Sequence, residues 1–172
     1  MATRFREVEL TEVVPDAQIT AGGAFFALRS GTNAPRGHIE FSSASRGEFL
    51  YEAIVPFNIA AVPSLGISIY GQANSSATTT NYLLYAKTLN VRSGQATEQA
   101  SSSWQITTET SFAATGVAYQ QAQYYLGNSL GLAARSILRV VVGRNAASTG
   151  DNVAQNLEVP KVTALAYVDD TV

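Results

Sequence analysis

The sequence predicts an all-β protein, more specifically an antiparallel β-sandwich of jelly-roll type with about 8–10 strands. Three observations support this prediction. Short runs rich in Val, Ile, Tyr, Phe and Thr recur along the chain, and each is bounded by Gly, Pro, Asn or Ser. The apolar periodicity that marks amphipathic helices is scarce. No segment repeats at a period of roughly 20–50 residues, which argues against a propeller or a solenoid.

The predicted strands follow one another at short intervals. They are Phe5–Val14, Ala24–Leu28, Gly37–Ser42, Phe49–Val55, Leu65–Tyr70, Tyr82–Val91, Trp104–Thr108, Gly116–Leu126, Ser136–Val142 and Val162–Val168. Alternation of apolar and polar residues is clearest near the C-terminus, where it places Leu138, Val140 and Val142 on the core side.

Three of these runs need interpretation. The polar loop between Leu65–Tyr70 and Tyr82–Val91 is typical of a hairpin connection. Alternation within Trp104–Thr108 places Trp104, Ile106 and Thr108 on one face, with Trp104 as a core anchor. Gly116–Leu126 is ambiguous: its Ala and Gln residues tolerate a helix, but its tyrosines favour the strand that we predict.

Residues 1–20 are predicted to form an N-terminal arm or edge strand, and residues 21–172 a single β-sandwich domain. Val8 and Leu10 alternate with acidic residues and therefore share one face of the arm. An arm of this kind can leave the body and pair with a neighbouring subunit. Phe5, Val8 and Leu10 are therefore candidates for augmenting a neighbour's sheet.

The surface is predicted to be sparsely charged. Charged residues make up 14% of the chain, against about 25% in typical globular domains. Such a surface associates readily, so the composition favours assembly with other copies over a plain monomer. The net charge of −2, without any run of basic residues, argues against a nucleic-acid partner.

Several classes of protein are disfavoured by what the sequence lacks. Because there is no cysteine, disulfides and thiolate metal sites are excluded. Met1–Thr11 has no apolar core of the kind that a secretory signal peptide needs. The uncharged stretch between Glu52 and Lys87 is interrupted by Pro56 and the polar run Asn74–Asn81, which a bilayer helix would not contain. We expect no signal peptide and no membrane partner.

Candidate catalytic and metal-binding groups are few. His38 is the single histidine, no Ser lies in a G-x-S-x-G turn, and we expect His38 to be a surface or hydrogen-bonded residue. Glu40 and Glu52, on neighbouring predicted strands, are an acid pair of the kind that glycosidases use, but chance provides such pairs. Gly150–Asn152 and Asp169–Asp170 lack the spacing of a calcium loop. We predict no enzyme activity, no cofactor and no metal site.

Aromatic residues are the strongest indication of binding. The chain has eight Tyr, seven Phe and one Trp. Tyrosine provides amphipathic contact area that suits subunit interfaces and sugar platforms alike, although core packing is its more frequent role. The candidates for subunit contacts are Tyr119, Tyr124 and Tyr125, and those for ligand contacts are Tyr82, Tyr85 and Trp104.

The last third of the chain contains a strand, a Gly-Asp loop and a final strand in a recognisable order. The apolar strand Arg135–Arg144 leads into the Gly-Asp loop Ser148–Asn152, and Val162–Tyr167 follows as a final strand. This resembles the closing strands of jelly-roll or β-sandwich domains in structural proteins of tailed bacteriophages, with similarity over residues 48–168. The loop departs from that pattern because no second acidic residue follows its Gly-Asp. The resemblance implies a capsid decoration, head-fibre or tail-fibre role, commonly as a trimer.

An expected function and an alternative follow. The expected function is that of a capsid decoration (cement) protein, a homotrimer that stabilises the shell by burying apolar surface against the major capsid protein or another virion protein. The alternative is a receptor- or carbohydrate-binding module of a phage tail fibre or baseplate, with exposed aromatic residues that contact a glycan. The expected location is the virion, assembled in the host cytoplasm.

Overall fold

A computed structural model describes residues 3–9, 11–12, 23–29, 36–59, 65–73, 81–92, 94–95, 104–128 and 132–169. Within these ranges the secondary structure consists of strands alone. The strands are β1 (Thr3–Glu9), β2 (Thr11–Glu12), β3 (Ala24–Arg29), β4 (Arg36–Phe41), β5 (Arg46–Ile54), β6 (Leu65–Ala73), β7 (Asn81–Val91), β8 (Gln105–Ile106), β9 (Thr110–Ala113), β10 (Ala122–Asn128), β11 (Ile137–Asn145) and β12 (Leu157–Asp169). The described part of the chain contains no helix long and apolar enough to cross a membrane.

The strands form two antiparallel sheets. Sheet A has the order β10-β6-β12-β4-β3, and β1 pairs with the C-terminal half of β12. Sheet B has the order β2-β5-β11-β7-β8, and β9 pairs with the first residues of β7. The two sheets pack face to face around one apolar core, which confirms the predicted all-β antiparallel sandwich.

The core follows the alternation that the sequence shows. Leu138, Val140 and Val142 of β11 are buried, as predicted, in one cluster with inward residues of both sheets. Ile67 and Ile69 of β6 enter the same cluster from sheet A. Because successive side chains of a strand point to opposite faces, these positions also fix which residues face away from the core.

A charged pair is buried at one end of the core. Arg144 continues the inward parity of β11 and is fully buried. Its Nε and Nη2 donate hydrogen bonds to the two carboxylate oxygens of Asp151 at 2.9 and 2.8 Å. The three remaining guanidinium hydrogens are donated to the carbonyl oxygens of Phe41, Val153 and Gln155. Asp151 of the Gly-Asp loop therefore neutralises Arg144, whose side chain points into the core because of its position in the strand.

Two sequence predictions about sheet B are wrong. The predicted hairpin does not form, because β6 and β7 lie in different sheets: β6 pairs with β10 and β12, whereas β7 pairs with β8, β9 and β11. Of the predicted strand Trp104–Thr108 only β8 forms a strand; Ile106 of β8 is 63% exposed and Thr107, the next residue, is buried, the reverse of the expected orientation. Thr107 is buried because its hydroxyl accepts a hydrogen bond from the Ala86 N–H.

The ambiguous segment Gly116–Leu126 divides into a loop and a strand. Pairing with β6 begins at Ala122 and continues without interruption to Asn128. Gly116 and Tyr119 both have positive φ angles, 74° and 61°, which an extended strand does not allow. The strand prediction is therefore correct only for its second half.

The described part of the N-terminal arm pairs with a strand of the same chain. Thr3–Glu9 pair with Thr163–Asp169 of β12, and Val8 packs against the core from this position. Leu10 lies outside the described residues, as do the side chain of Phe5 and most of the segment that follows. The domain boundary after residue 20 stays a prediction.

Candidate functional site

The candidate site is the face of sheet A that points away from the core, called here the outer face. Its floor is formed by β6 and β10, with β12, β1 and β4 beside them. Its described residues include Glu7, Glu9, His38, Glu40, Gly66, Ser68, Tyr70, Gln72, Gln123, Tyr125, Gly127, Glu158, Lys161, Thr163 and Leu165. These positions alternate with core residues such as Ile67, Ile69 and Tyr124.

An exposed tyrosine ring lies across one end of this face. Tyr125 is 52% exposed, and its ring rests on the backbone of Gly66 in the adjacent strand. A Cβ at Gly66 would lie 2.4 Å from the Tyr125 ring, so the ring occupies the space that any other residue's side chain would fill. Gly127 pairs directly with Gly66 and adds no side chain beside the ring. The glycine therefore allows an aromatic ring to lie on the sheet and present a face to solvent.

Hydrogen-bonding groups surround the middle of the face. Exposed Gln123 donates from Nε2 to the Ser68 hydroxyl at 2.9 Å. Tyr70 donates from its hydroxyl to Glu7 Oε1 at 2.9 Å, and the Thr163 hydroxyl donates to the same oxygen. These hydrogen bonds, that from Thr163 most strongly, lower the pKa of Glu7 below its ordinary value. The polar groups beside the Tyr125 platform are thus held in place by one another.

The opposite end of the face is acidic. Glu40 and Glu158 are direct cross-strand partners, and one oxygen of each lies 3.8 and 3.9 Å from His38 Nε2. Their other oxygens accept hydrogen bonds from Asn156 and Gln72, at 2.6 and 2.7 Å. This cluster is mostly buried, so it forms the closed end of the face rather than an open contact surface.

The structure corrects two predictions about these groups. His38 is buried rather than at the surface, and neither ring nitrogen makes a hydrogen bond within the described residues. Glu40 and Glu52 are not neighbours, because Glu40 lies in sheet A and Glu52 in sheet B, where it pairs with Arg139. The burial of His38 beside Glu158 could not be predicted from the sequence, because the β4–β12 pairing joins distant segments.

Tyr85, a predicted ligand contact, lies in a closed polar cluster on the solvent side of sheet B. It is fully buried, with its ring over Gly143 and its hydroxyl donating to Glu48 at 2.6 Å. Arg46 Nε donates to the Tyr85 hydroxyl, and Lys87 Nζ lies 2.6 Å from the same Glu48 oxygen. Burial alone would raise the pKa of Glu48, but the hydrogen bonds from Lys87 and Tyr85 outweigh it and lower the pKa.

Two more predicted aromatic contacts are core residues. Tyr82, a predicted ligand contact, and Tyr124, a predicted subunit contact, are buried and pack edge to face with ring centroids 5.9 Å apart. Burial raises the pKa of the Tyr82 hydroxyl to about 12. Since no face of Tyr82, Tyr85 or Tyr124 is accessible, their assignment as contact residues is wrong in this structure.

The remaining predicted aromatic residues keep some exposure. Trp104 is half-buried beside β8 and does not belong to the core cluster. Tyr119 and Tyr125, both predicted as subunit contacts, are 53% and 52% exposed. The sequence thus singled out the two most exposed tyrosines of the described residues without distinguishing a partner subunit from another ligand.

The described residues offer no group of three or more His, Asp or Glu side chains placed to hold a metal ion. Asp151, the acidic residue of the Gly-Asp loop, has its carboxylate committed to Arg144 and to the Leu83 N–H. Of the other acidic pair considered, Asp170 lies outside the described residues.

Several carbohydrate-binding modules are among the solved structures to which this chain is similar. A family 35 carbohydrate-binding module from Clostridium thermocellum is 9% identical, with 92% of this chain and 97% of that chain covered and a TM-score of 0.45. The CBM22-1 xylan-binding domain of Xyn10C from Paenibacillus barcinonensis is 8% identical, with 99% and 98% covered and a TM-score of 0.45. Similarities of this size say nothing about what the present chain binds.

An arabinose-bound α-L-arabinofuranosidase, MgGH51, is 13% identical over 86% of this chain with a TM-score of 0.49. The chain spans only 22% of the length of that enzyme. No protein-family model matches the sequence, and no curated protein matches it either.

Proposed function

We propose that this protein is a glycan-binding module that holds its ligand on the outer face of sheet A. The observation that carries the proposal is the Tyr125 ring, which lies on Gly66 with half of its surface exposed. An aromatic ring that packs against a rigid sheet presents an apolar surface at little entropic cost, since the ring is already in place before a ligand arrives.

The chemistry around the ring supports a sugar as the ligand. A pyranose has an apolar C–H face, which suits stacking on an aromatic ring, and a rim of hydroxyl groups. Gln123 and Tyr70 lie beside the platform and can donate or accept hydrogen bonds at that rim. A few oriented polar groups around an apolar surface are typical of small-molecule sites. The proposed role is binding alone, with no chemical step.

A glycan array tests this function. We expect the wild-type protein to bind one class of polysaccharide, and Tyr125→Ala to weaken that binding by about tenfold or more, which corresponds to about 1.4 kcal/mol. Tyr125→Phe keeps the ring and should retain most of the affinity. Phe57→Ala is the matched control, because Phe57 is a similarly exposed aromatic residue on the loop after β5.

Two results would contradict the proposal. One is the absence of any glycan bound by the folded wild-type protein across neutral and charged polysaccharides. The other is binding that Tyr125→Ala leaves unchanged while Phe57→Ala abolishes it.

A second candidate function, assembly with other protein chains as in a capsid decoration protein, is favoured by one observation. Ile54 and Ile137 lie opposite each other on the solvent side of sheet B and are 78% and 38% exposed. Exposed apolar pairs of this kind suit a protein interface. For this function we expect light scattering to show a trimer that Ile54→Ser and Ile137→Ser dissociate. A monomer at all concentrations would argue against it.

A further inference from the structure

The N-terminal strand β1 places an acidic side chain on the outer face of sheet A. Glu7 of β1 is exposed, and its cross-strand partner on β12 is Leu165. The following residue, Val8, packs against the core, so alternation along β1 turns Glu7 away from the core. The strand therefore adds a carboxylate to the same surface that carries the Tyr125 ring.

Hydrogen bonds fix the position of this carboxylate. Its oxygen Oε1 accepts hydrogen bonds from the hydroxyl groups of Thr163 and Tyr70. These two bonds, that from Thr163 most strongly, and the nearby charge of Lys161 lower the pKa of Glu7, so the carboxylate is ionised at neutral pH. The described residues give the second oxygen, Oε2, no hydrogen-bond partner. An exposed glutamate normally loses rotamer freedom when it binds a ligand, whereas here that ordering precedes binding.

Strand pairing aligns Glu7 with the Tyr125 ring. The ring lies against Gly66 of β6, which pairs with Leu165 of β12, and Leu165 pairs with Glu7. These positions form one row across the strands, and from Gly66 to Glu7 the row covers two strand spacings, about 10 Å. Leu165 is partly exposed in the middle of the row and offers an apolar contact. A disaccharide has about this length, so one ligand can reach both the ring and the carboxylate.

The second carboxylate oxygen suits a ligand that donates hydrogen bonds. Sugar hydroxyl groups can donate, and a hydrogen bond to an ionised acceptor is roughly twice as strong as one between neutral groups. Lys161, the cross-strand partner of Tyr70, is also exposed on this face. Because an ammonium group only donates, Lys161 does not replace Glu7 as the acceptor for a sugar hydroxyl, and its charge keeps Glu7 ionised.

We infer that Glu7 is a second ligand contact of the outer face, where it accepts hydrogen bonds from hydroxyl groups of a glycan that lies across the strands between Tyr125 and β1. This inference rests on the proposed glycan-binding function and deepens it, since it assigns the direction of the ligand on the sheet and a contact residue at its other end. It also makes the N-terminal strand part of the binding site.

Calorimetric titration with cellohexaose, xylohexaose and mannohexaose tests the inference. Glu7→Gln keeps the size of the side chain and one oxygen as an acceptor, but removes the charge. For the oligosaccharide that binds, we expect this variant to weaken affinity by about tenfold. Glu9→Gln is the matched control, because Glu9 is exposed on the same side of β1 but pairs with Thr163, outside the row. It should leave affinity within about twofold.

Thr163→Val separates ligand contact from a purely structural role of Glu7. Thr163 is fully buried and cannot touch a ligand, but its hydroxyl orients Glu7. Loss of this hydroxyl should weaken affinity by about threefold in the wild-type background. It should weaken affinity no further in the Glu7→Gln background, because Thr163 acts through the Glu7 carboxylate. Thermal unfolding of each variant confirms that the fold is retained before its affinity is interpreted.

The outcomes distinguish this inference from the proposed function. Binding that depends on Tyr125 but is unchanged by Glu7→Gln, or is weakened as much by Glu9→Gln, would overturn the inference and leave the function intact. An equal loss from Thr163→Val in both backgrounds would also overturn it. If wild type binds none of the three oligosaccharides and no polysaccharide of the array, the proposed function fails and the inference with it.

Discussion

The buried pair of Arg144 and Asp151 gives the sharpest prediction about stability. Asp151→Asn removes the negative charge opposite a guanidinium that is fully buried in the core. It also replaces one carboxylate oxygen with an amide group that cannot accept the arginine's hydrogen bond. Removing one partner of a buried ion pair costs about 3–5 kcal/mol, because the other charge stays buried without compensation. That loss is a large fraction of the roughly 5–15 kcal/mol by which domains are stable.

Urea unfolding, followed by the fluorescence of the single Trp104, measures this cost. The matched control is Glu52→Gln, which breaks the ion pair between Glu52 of β5 and Arg139 of β11. Arg139 lies on the same strand as Arg144. Because those two side chains are 28% and 22% exposed, the control should lose only about 0.2–1 kcal/mol. If Asp151→Asn destabilises the protein no more than Glu52→Gln does, the account of Arg144 as a core residue that depends on Asp151 is refuted.

Three further predictions concern glycines and pH. Gly143→Ala should destabilise the fold by about 1–3 kcal/mol in urea unfolding, because its Cβ would lie 2.2 Å from the fully buried Tyr85 ring. Gly66→Ala should leave stability within about 1 kcal/mol, because the Tyr125 ring can swing into solvent, yet weaken glycan binding on the array as strongly as Tyr125→Ala. The lowered pKa of Glu48 makes its ionised form stabilising. Wild type should therefore be more stable than Glu48→Gln above about pH 4.5, and unfolding curves should converge as the pH falls through the lowered pKa.

The sequence predicts side-chain faces well where a strand alternates regularly. Leu138, Val140 and Val142 point inward as predicted, because a period of two is a local property of an extended chain. The same period, continued by one step, assigns Arg144 to the core, and a buried arginine requires a carboxylate close by. Asp151 is the nearest acidic residue, so the buried pair could have been predicted from the sequence alone.

Sheet membership could not be predicted in this way. A short polar sequence separates β6 from β7, as is typical of a hairpin, yet the two strands pair with partners from distant parts of the chain. Strand pairing of this kind depends on non-local contacts that no local pattern reports. Burial of Tyr82 and Tyr85 and of His38 has the same origin, because each is covered by segments remote in sequence.

The candidate site could be predicted only in part. The sequence predicts subunit contacts in the tyrosine-rich segment before and within β10, and Tyr119 and Tyr125 of that segment are exposed. The role of Gly66 was not recognised, because its pairing with Gly127 and its contact with the Tyr125 ring appear only when β6 and β10 are side by side. A glycine within an otherwise regular strand was the available signal, since such glycines often mark close approach of another group.

The most direct test of the central claim is a map of amide chemical shifts in the isotopically labelled protein as it is saturated with the glycan that the array identifies. The account predicts that the largest shifts fall in β6 and β10, centred on Gly66, Ser68 and Tyr125, and that they disappear in Tyr125→Ala. Shifts confined to sheet B, around Ile54 and Ile137, would place the ligand on the other side of the sandwich and contradict the account.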